Sequence, residues 1–173
     1  MGRLKLWLLD ADVIIDLLGL NIFDKLVKIH QVHVASTVVG EVRYYRRDGE
    51  KVSIDFHKVY VGTGRVKEAL ASTEELREIV KVLPEIKREG LHPGELESIA
   101  ILLREEGLTF CSCDAATIRA LPLFDLAERG VSTETPLRKS GLLKPGLQER
   151  HTEEYFRNNL RIGQQERLLF QHW

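Results

Sequence analysis

Nowhere does the chain hold an uncharged apolar run long enough to cross a bilayer. Its basic start, "MGRLK", and the apolar stretch after it resemble a leader at first glance. Three aspartates interrupt that stretch, however, and no small-residue cleavage site follows. A soluble, cytoplasmic protein with no membrane partner is expected. Cysteine is equally scarce: Cys111 and Cys113 lie too close together to staple a fold, and no second Cys/His pair stands by to complete a zinc site. None of the histidines (His30, His33, His57, His92, His151, His172) falls at metal-ligand spacing. Net charge is also nearly absent, with 25 Lys and Arg against 26 Asp and Glu giving -1. An anionic partner such as a nucleic acid must therefore be met by a local patch. There is no internal repeat and no low-complexity segment.

What the 173 residues do contain, at 43% hydrophobic, is enough apolar matter for one core. The pattern predicts a main domain over residues 1–145 and a polar helical extension over 146–173. Residues 4–9, "LKLWLL", read as a strand buried on both faces. Residues 12–30 read as helix, broken near Gly19 and Asn21. "VHVAS" is a second strand, and "STVVGEVRYYRR" reads as one helix capped by Ser36 or Thr37. A polar, β-prone excursion follows over about 48–66, with a hairpin as its expected form. Ser72 and Glu75 form a capping box for a helix that runs to Pro84. "HPGELESIAILLREEG" is the clearest helix, with Pro93 in its first turn and Leu96, Ile99, Ala100 and Leu103 along one stripe. "LTFCSC" is a buried strand, "AATIRALPLFDLAERG" a helix broken at Pro122, and "VSTET" a last short strand. The tail from 147 is a polar helix. Strands alternating with helices imply a three-layer α/β/α sandwich around a mostly parallel sheet of four to five strands. In such sheets ligands bind outside the carboxyl ends of the strands.

That rule bears on the aspartates of "LWLLDADVIIDLL". Asp10 falls where the first strand ends, Glu41 in the helix after the second, and Asp114 at the end of a later one. A fourth acid, Glu95 or Glu97, comes from the start of the helix at 94. Two unit charges about 4 Å apart cost roughly 4 kcal/mol at an effective dielectric near 20, or about three pKa units. Converging carboxylates therefore need either protons or a cation. Oxygen ligands without His or Cys select Mg²⁺ or Mn²⁺, and ions so held suit phosphodiester hydrolysis. Glu95 and Glu97 each lie about 100° from Leu96 around the helix, on opposite sides, so periodicity does not choose between them. The helix dipole favours acids there whatever their function. Arg43, Arg46 and Arg47, at helical spacing beyond Glu41, are candidates for an RNA phosphate rim, or for a solvated face. Asp16, one turn beyond Asp12, reads as surface. Val38, Val39 and Val42 suggest that the Glu41 helix is mostly buried.

In order and spacing, "LLDADVIID", "ASTVVGEV", "HPGELESIAILL" and "FCSCDAATIRA" resemble the PIN-domain nucleases over roughly residues 4–140. The resemblance implies a PIN-like α/β/α fold and a Mg²⁺- or Mn²⁺-dependent endoribonuclease. Such enzymes are often the toxin of a VapC-type toxin-antitoxin pair, so an RNA substrate, an antitoxin protein and a homodimer are the implied partners. By position it implies Asp10, Glu41, Glu95 and Asp114 as the catalytic, metal-binding acids, with Glu97 the alternative to Glu95. Asp12 and Ser112 stand in the supporting shell. The excursion at 48–66 and the C-terminal extension depart from compact members of the family. Two other readings stay open. One is a PIN-like module that binds RNA or protein without cutting. The other is a haloacid-dehalogenase-type phosphatase with Asp10 as nucleophile and Asp12 as acid/base, although no convincing lysine precedes "FCSCDAAT".

Overall fold

The computed structural model describes residues 6–171; Leu4 and Lys5 of the expected first strand, and His172, lie outside the described residues. Trp7, Leu8 and Leu9 are all buried, so strand β1 (Leu6–Leu9) is covered on both faces. Asp10 caps α1 (Ala11–Gly19), and Asn21, at a left-handed φ of 58°, separates it from α2 (Phe23–Ile29). Strand β2 (Gln31–Ala35) runs directly into α3 (Ser36–Glu41).

Here the expected helix over 36–47 is corrected. The chain leaves the helix after Glu41 and forms a hairpin of β3 (Tyr44–Arg47) and β4 (Glu50–Ser53). Asp48 and Gly49, at φ 50° and 81°, make the two-residue turn that Asp-Gly favours between strands. Arg43, Arg46 and Arg47 are therefore not at helical spacing. The excursion thus begins before residue 48, and after a single π-helical segment (His57–Val61) it ends in an unforeseen strand, β5 (Lys67–Ala69).

Helices α4 (Thr73–Val82), with the capping box of Ser72 and Glu75, and α5 (Glu85–Arg88) precede α6 (Pro93–Arg104). Strand β6 (Leu108–Cys111) leads to α7 (Ala115–Ala120), which gives way to a 3₁₀ turn at Leu121–Phe124 where Pro122 cannot continue the helix. The last strand, β7 (Gly130–Val131), begins one residue before the expected one and ends at its first residue, because Glu134 already opens α8 (Glu134–Lys139). The tail folds as a 3₁₀ turn at Glu149–His151 and then α9 (Glu153–Phe170).

The five central strands are parallel, in the order β5-β2-β1-β6-β7 and flanked by helices, which makes the chain a three-layer α/β/α sandwich. After β1 the chain winds toward β2 and β5, then crosses to β6 and β7 on the other side. The carboxyl ends of β1 and β6 thus flank the topological switch point, where open parallel sheets take their ligands. Helix α9 packs on α7: Gly163 sits so close to the Arg119 backbone that no side chain fits there, and Arg119 Nε donates to Asn159 Oδ1 at 2.8 Å. Among the described residues no helix is long and apolar enough to cross a membrane.

Candidate active site

Asp10 follows β1 directly and is 4% exposed. One oxygen, Oδ1, accepts the Ala11 N–H (2.8 Å) as an N-cap, and Oδ2 accepts the Ser112 hydroxyl (3.0 Å). Ser112 in turn accepts the Asp114 N–H at 3.2 Å, so a single hydroxyl couples the ends of β1 and β6. Asp114 caps α7 through Oδ2, which accepts the backbone N–H and the hydroxyl of Thr117 at 2.7 and 2.9 Å. Glu95, 7% exposed, reaches back across the first turn of α6 and accepts the His92 N–H at 2.7 Å.

Burial without a neighbouring cation dominates the electrostatics. It pushes the Asp10 carboxyl up to about 7, with Asp12 and Asp114 adding repulsion. It pushes Glu95 up to about 8, and there the repelling charges are Asp10 and Asp114. Asp10, Glu95 and Asp114 therefore share one electrostatic environment at the switch point.

Glu41 stands differently. It is exposed rather than buried, because α3 ends there and turns its last residue outward, which corrects the expectation drawn from its valine neighbours. Its carboxylate accepts the Gly94 N–H at the start of α6 and feels Asp12 and Glu97; burial of the part that faces α6 raises its pKa. A Cβ on Gly94 would come within 2.8 Å of Glu41 Oε2, so the bare glycine leaves room for that carboxylate.

Glu97, 3% exposed, has both oxygens engaged elsewhere. Oε2 accepts the Thr37 N–H in the first turn of α3 (2.7 Å), and Oε1 accepts the Ala71 N–H after β5 (3.1 Å). This carboxylate ties α6 to α3 and to the segment after β5. Glu97→Ala leaves two amides without their acceptor and is expected to cost about 2–4 kcal/mol. Chemical denaturation should show the same loss with Mn²⁺ and with EDTA, whereas removal of a metal ligand would show it mainly with Mn²⁺.

Two groups at the site carry no sequence signal. Arg150, in the turn before α9, pairs with Asp12 (3.3 Å) and with Asp16 (2.5 Å). His151, 1% exposed, places Nε2 2.6 Å from Asp16 Oδ2 and Nδ1 2.7 Å from the Thr133 hydroxyl. A neutral ring so placed carries its proton on Nε2 and accepts from Thr133. Asp16 is thus not a simple surface acid. Burial alone would raise its pKa, but the bonds from His151 and Arg150 outweigh it and hold the carboxyl low. The nominated arginines lie on or beside the hairpin: Arg43 Nε donates to the Gly40 carbonyl, Arg47 Nη2 donates to that of Leu18 (2.8 Å), and Arg46 is exposed.

Chemically, the arrangement offers hard, anionic oxygens at a ligand-binding edge. The donor types and the uncompensated burial of Asp10 and Glu95 fit a hard divalent cation. Among the described residues, however, no three His, Cys, Asp or Glu side chains form a ready-made metal-holding group. Comparison with family models, with curated proteins and with solved structures finds no match to this chain.

Proposed function

We propose that the chain is a Mg²⁺- or Mn²⁺-dependent endoribonuclease. Asp10, Glu95 and Asp114 would hold the metal, with Glu41 at the rim. The observation that carries this reading is the pair of buried carboxylates, Asp10 and Glu95, which have no cationic partner among the described residues and are set beside Asp114 at the switch point. Stable folds rarely keep such charges uncompensated unless a site uses them. The resemblance of the four acidic segments to PIN-domain nucleases supports the same reading, and extends it to a toxin paired with an antitoxin and acting as a homodimer.

When bound, such an ion lowers the pKa of a water and offsets charge on the phosphodiester. The chain's own groups would position the donors. Ser112 fixes the orientation of Asp10, Thr117 that of Asp114, and the His92 amide that of Glu95. Arg150 holds Asp12 aside. The phosphatase reading gains nothing, since the charges acting on Asp10 are Asp12 and Asp114, not a lysine.

The test is cleavage of an end-labelled RNA with Mn²⁺, with Mg²⁺ and with EDTA, in the wild type and in Asp114→Asn. Cutting is expected only with metal and is expected to fall at least about a hundredfold in the variant, near 3 kcal/mol of barrier. That the described residues hold no preassembled group of three such side chains favours, as the second reading, a module that binds RNA or protein without cutting. Calorimetry showing no Mn²⁺ binding at millimolar concentration, together with intact RNA, would select it.

A further inference from the structure

Along α1 from Asp10 lies a cavity of about 540 Å³, in the size range of small-ligand sites. It is lined by Tyr44, Tyr45 and Arg46 of the hairpin, Asp16 of α1, and Gln148 and His151 of the segment before α9. From this we infer that the cavity is a nucleobase subsite for single-stranded RNA next to the cleavage centre, selective for bases bearing an amino group over uracil. The inference rests on the ribonuclease reading and names where that substrate's flanking base would sit.

Position is the first argument. Asp10 caps α1 and Asp16, on the cavity wall, lies six residues on, which at 1.5 Å per residue is about 9 Å along the helix from Asp10. That is roughly two to three stacked nucleotides at 3.4 Å each. The hairpin that walls the cavity follows Glu41 after two residues, so the chain itself joins the two places. Gly19 holds the wall close: a Cβ there would lie 2.5 Å from the Arg46 carbonyl.

The lining chemistry is the second. Tyr44 and Arg46 alternate with Tyr45 and Arg47 along β3 and so share a face. Tyr44 is 44% exposed, and Lys51 Nζ lies over one face of its ring, 4.0 Å from the centroid. An exposed ring with a cation on one face can take a stacked base on the other. The Arg46 guanidinium has no hydrogen bond or ion pair among the described residues and is available to a phosphate or a base edge. Asp16 supplies selectivity: Oδ2 takes the bonds from His151 and Arg150, and Oδ1 takes none among the described residues. A carboxylate oxygen fixed in this way accepts from the amino group of cytosine, adenine or guanine, whereas the only edge donor of uracil, N3–H, stands between two carbonyl oxygens that repel a carboxylate. Gln148 adds both a donor and an acceptor.

The test is fluorescence anisotropy of labelled oligocytidylate and oligouridylate, with Ca²⁺ replacing the catalytic metal, on the wild type, Tyr44→Ala and Tyr44→Phe. Oligocytidylate should bind about tenfold more tightly than oligouridylate, Tyr44→Ala should lose roughly tenfold or more, and Tyr44→Phe should bind like the wild type. Photocrosslinking of iodinated oligocytidylate should mark Tyr44. Equal binding of the two oligonucleotides, or unchanged binding by Tyr44→Ala, overturns the subsite, even if the wild type still cleaves RNA with Mn²⁺. Tyr44-dependent binding without any metal-dependent cleavage supports the subsite and removes the ribonuclease reading instead.

Discussion

Asp10→Asn is expected to abolish RNA cleavage, by about a thousandfold or more, and at the same time to make the metal-free protein more stable at pH 8. The first effect follows if Asp10 is a metal donor, because the neutral amide withdraws a charge worth several kcal/mol in the transition state. The second follows from its burial. At pH 8 the folded chain must keep an ionised Asp10 away from water, with Asp12 and Asp114 nearby and no cation among the described residues to offset it. The carboxyl is raised from near 4 to about 7, so the variant should gain up to about 4 kcal/mol, at 1.36 kcal/mol per pKa unit. Asparagine keeps an oxygen for the Ala11 N–H, and the Ser112 hydroxyl can turn to accept from its amide. At pH 5 the folded Asp10 is protonated but the unfolded chain still releases that proton near pH 4, so the gain should shrink to about 1–2 kcal/mol. Urea denaturation at the two pH values, with cleavage assays alongside, checks both halves. A variant that is less stable at pH 8 and still cuts RNA would place Asp10 among ordinary helix caps.

The residues at this site differ in how openly the chain declares them. Asp10 and Asp114 could be read directly, because each ends an apolar run that had to be a buried strand, and strand ends are where parallel sheets work. Between Glu95 and Glu97 periodicity was silent. The difference is tertiary: Glu97 is spent on the amides of Thr37 and Ala71, each more than twenty residues away. The end of α3 was legible in principle, since "VRYYRR" carries β-prone valine and tyrosine and is followed by Asp-Gly. The apolar period of "STVVGEV" masked it and so placed the three arginines on a helix that does not exist. Strand β5, three residues long and half-exposed, has no pattern to find. Arg150 and His151 reach Asp16 across more than 130 residues of chain, and no local rule predicts such a meeting.

The same electrostatics fix the sign of the protein's pH dependence. In the folded, metal-free chain Asp10 and Glu95 hold their protons up to about 7 and 8, whereas in the unfolded chain both release them near pH 4. Between those limits the native state binds more protons than the unfolded one, so stability is greatest at the acid end and declines as pH rises. Each group can remove up to about 1.4 kcal/mol per pH unit within its window, several kcal/mol in all by pH 8. Glu41, also raised, pulls in the same direction. Asp16 pulls the other way but only on the acid side: its carboxyl is held low, so its contribution is intact above pH 4 and is lost below. A metal ion held at Asp10 and Glu95, as proposed, would reverse the decline, because carboxylates bind it only after losing their protons and because an ion held by the native state alone stabilises it by mass action. Thermal unfolding from pH 5 to 8 should therefore show a falling curve in EDTA and a flat or rising one in millimolar Mn²⁺, the gap widening with pH as protons are released on binding. Curves that stay parallel across the range would mean that Mn²⁺ binds somewhere other than at Asp10 and Glu95.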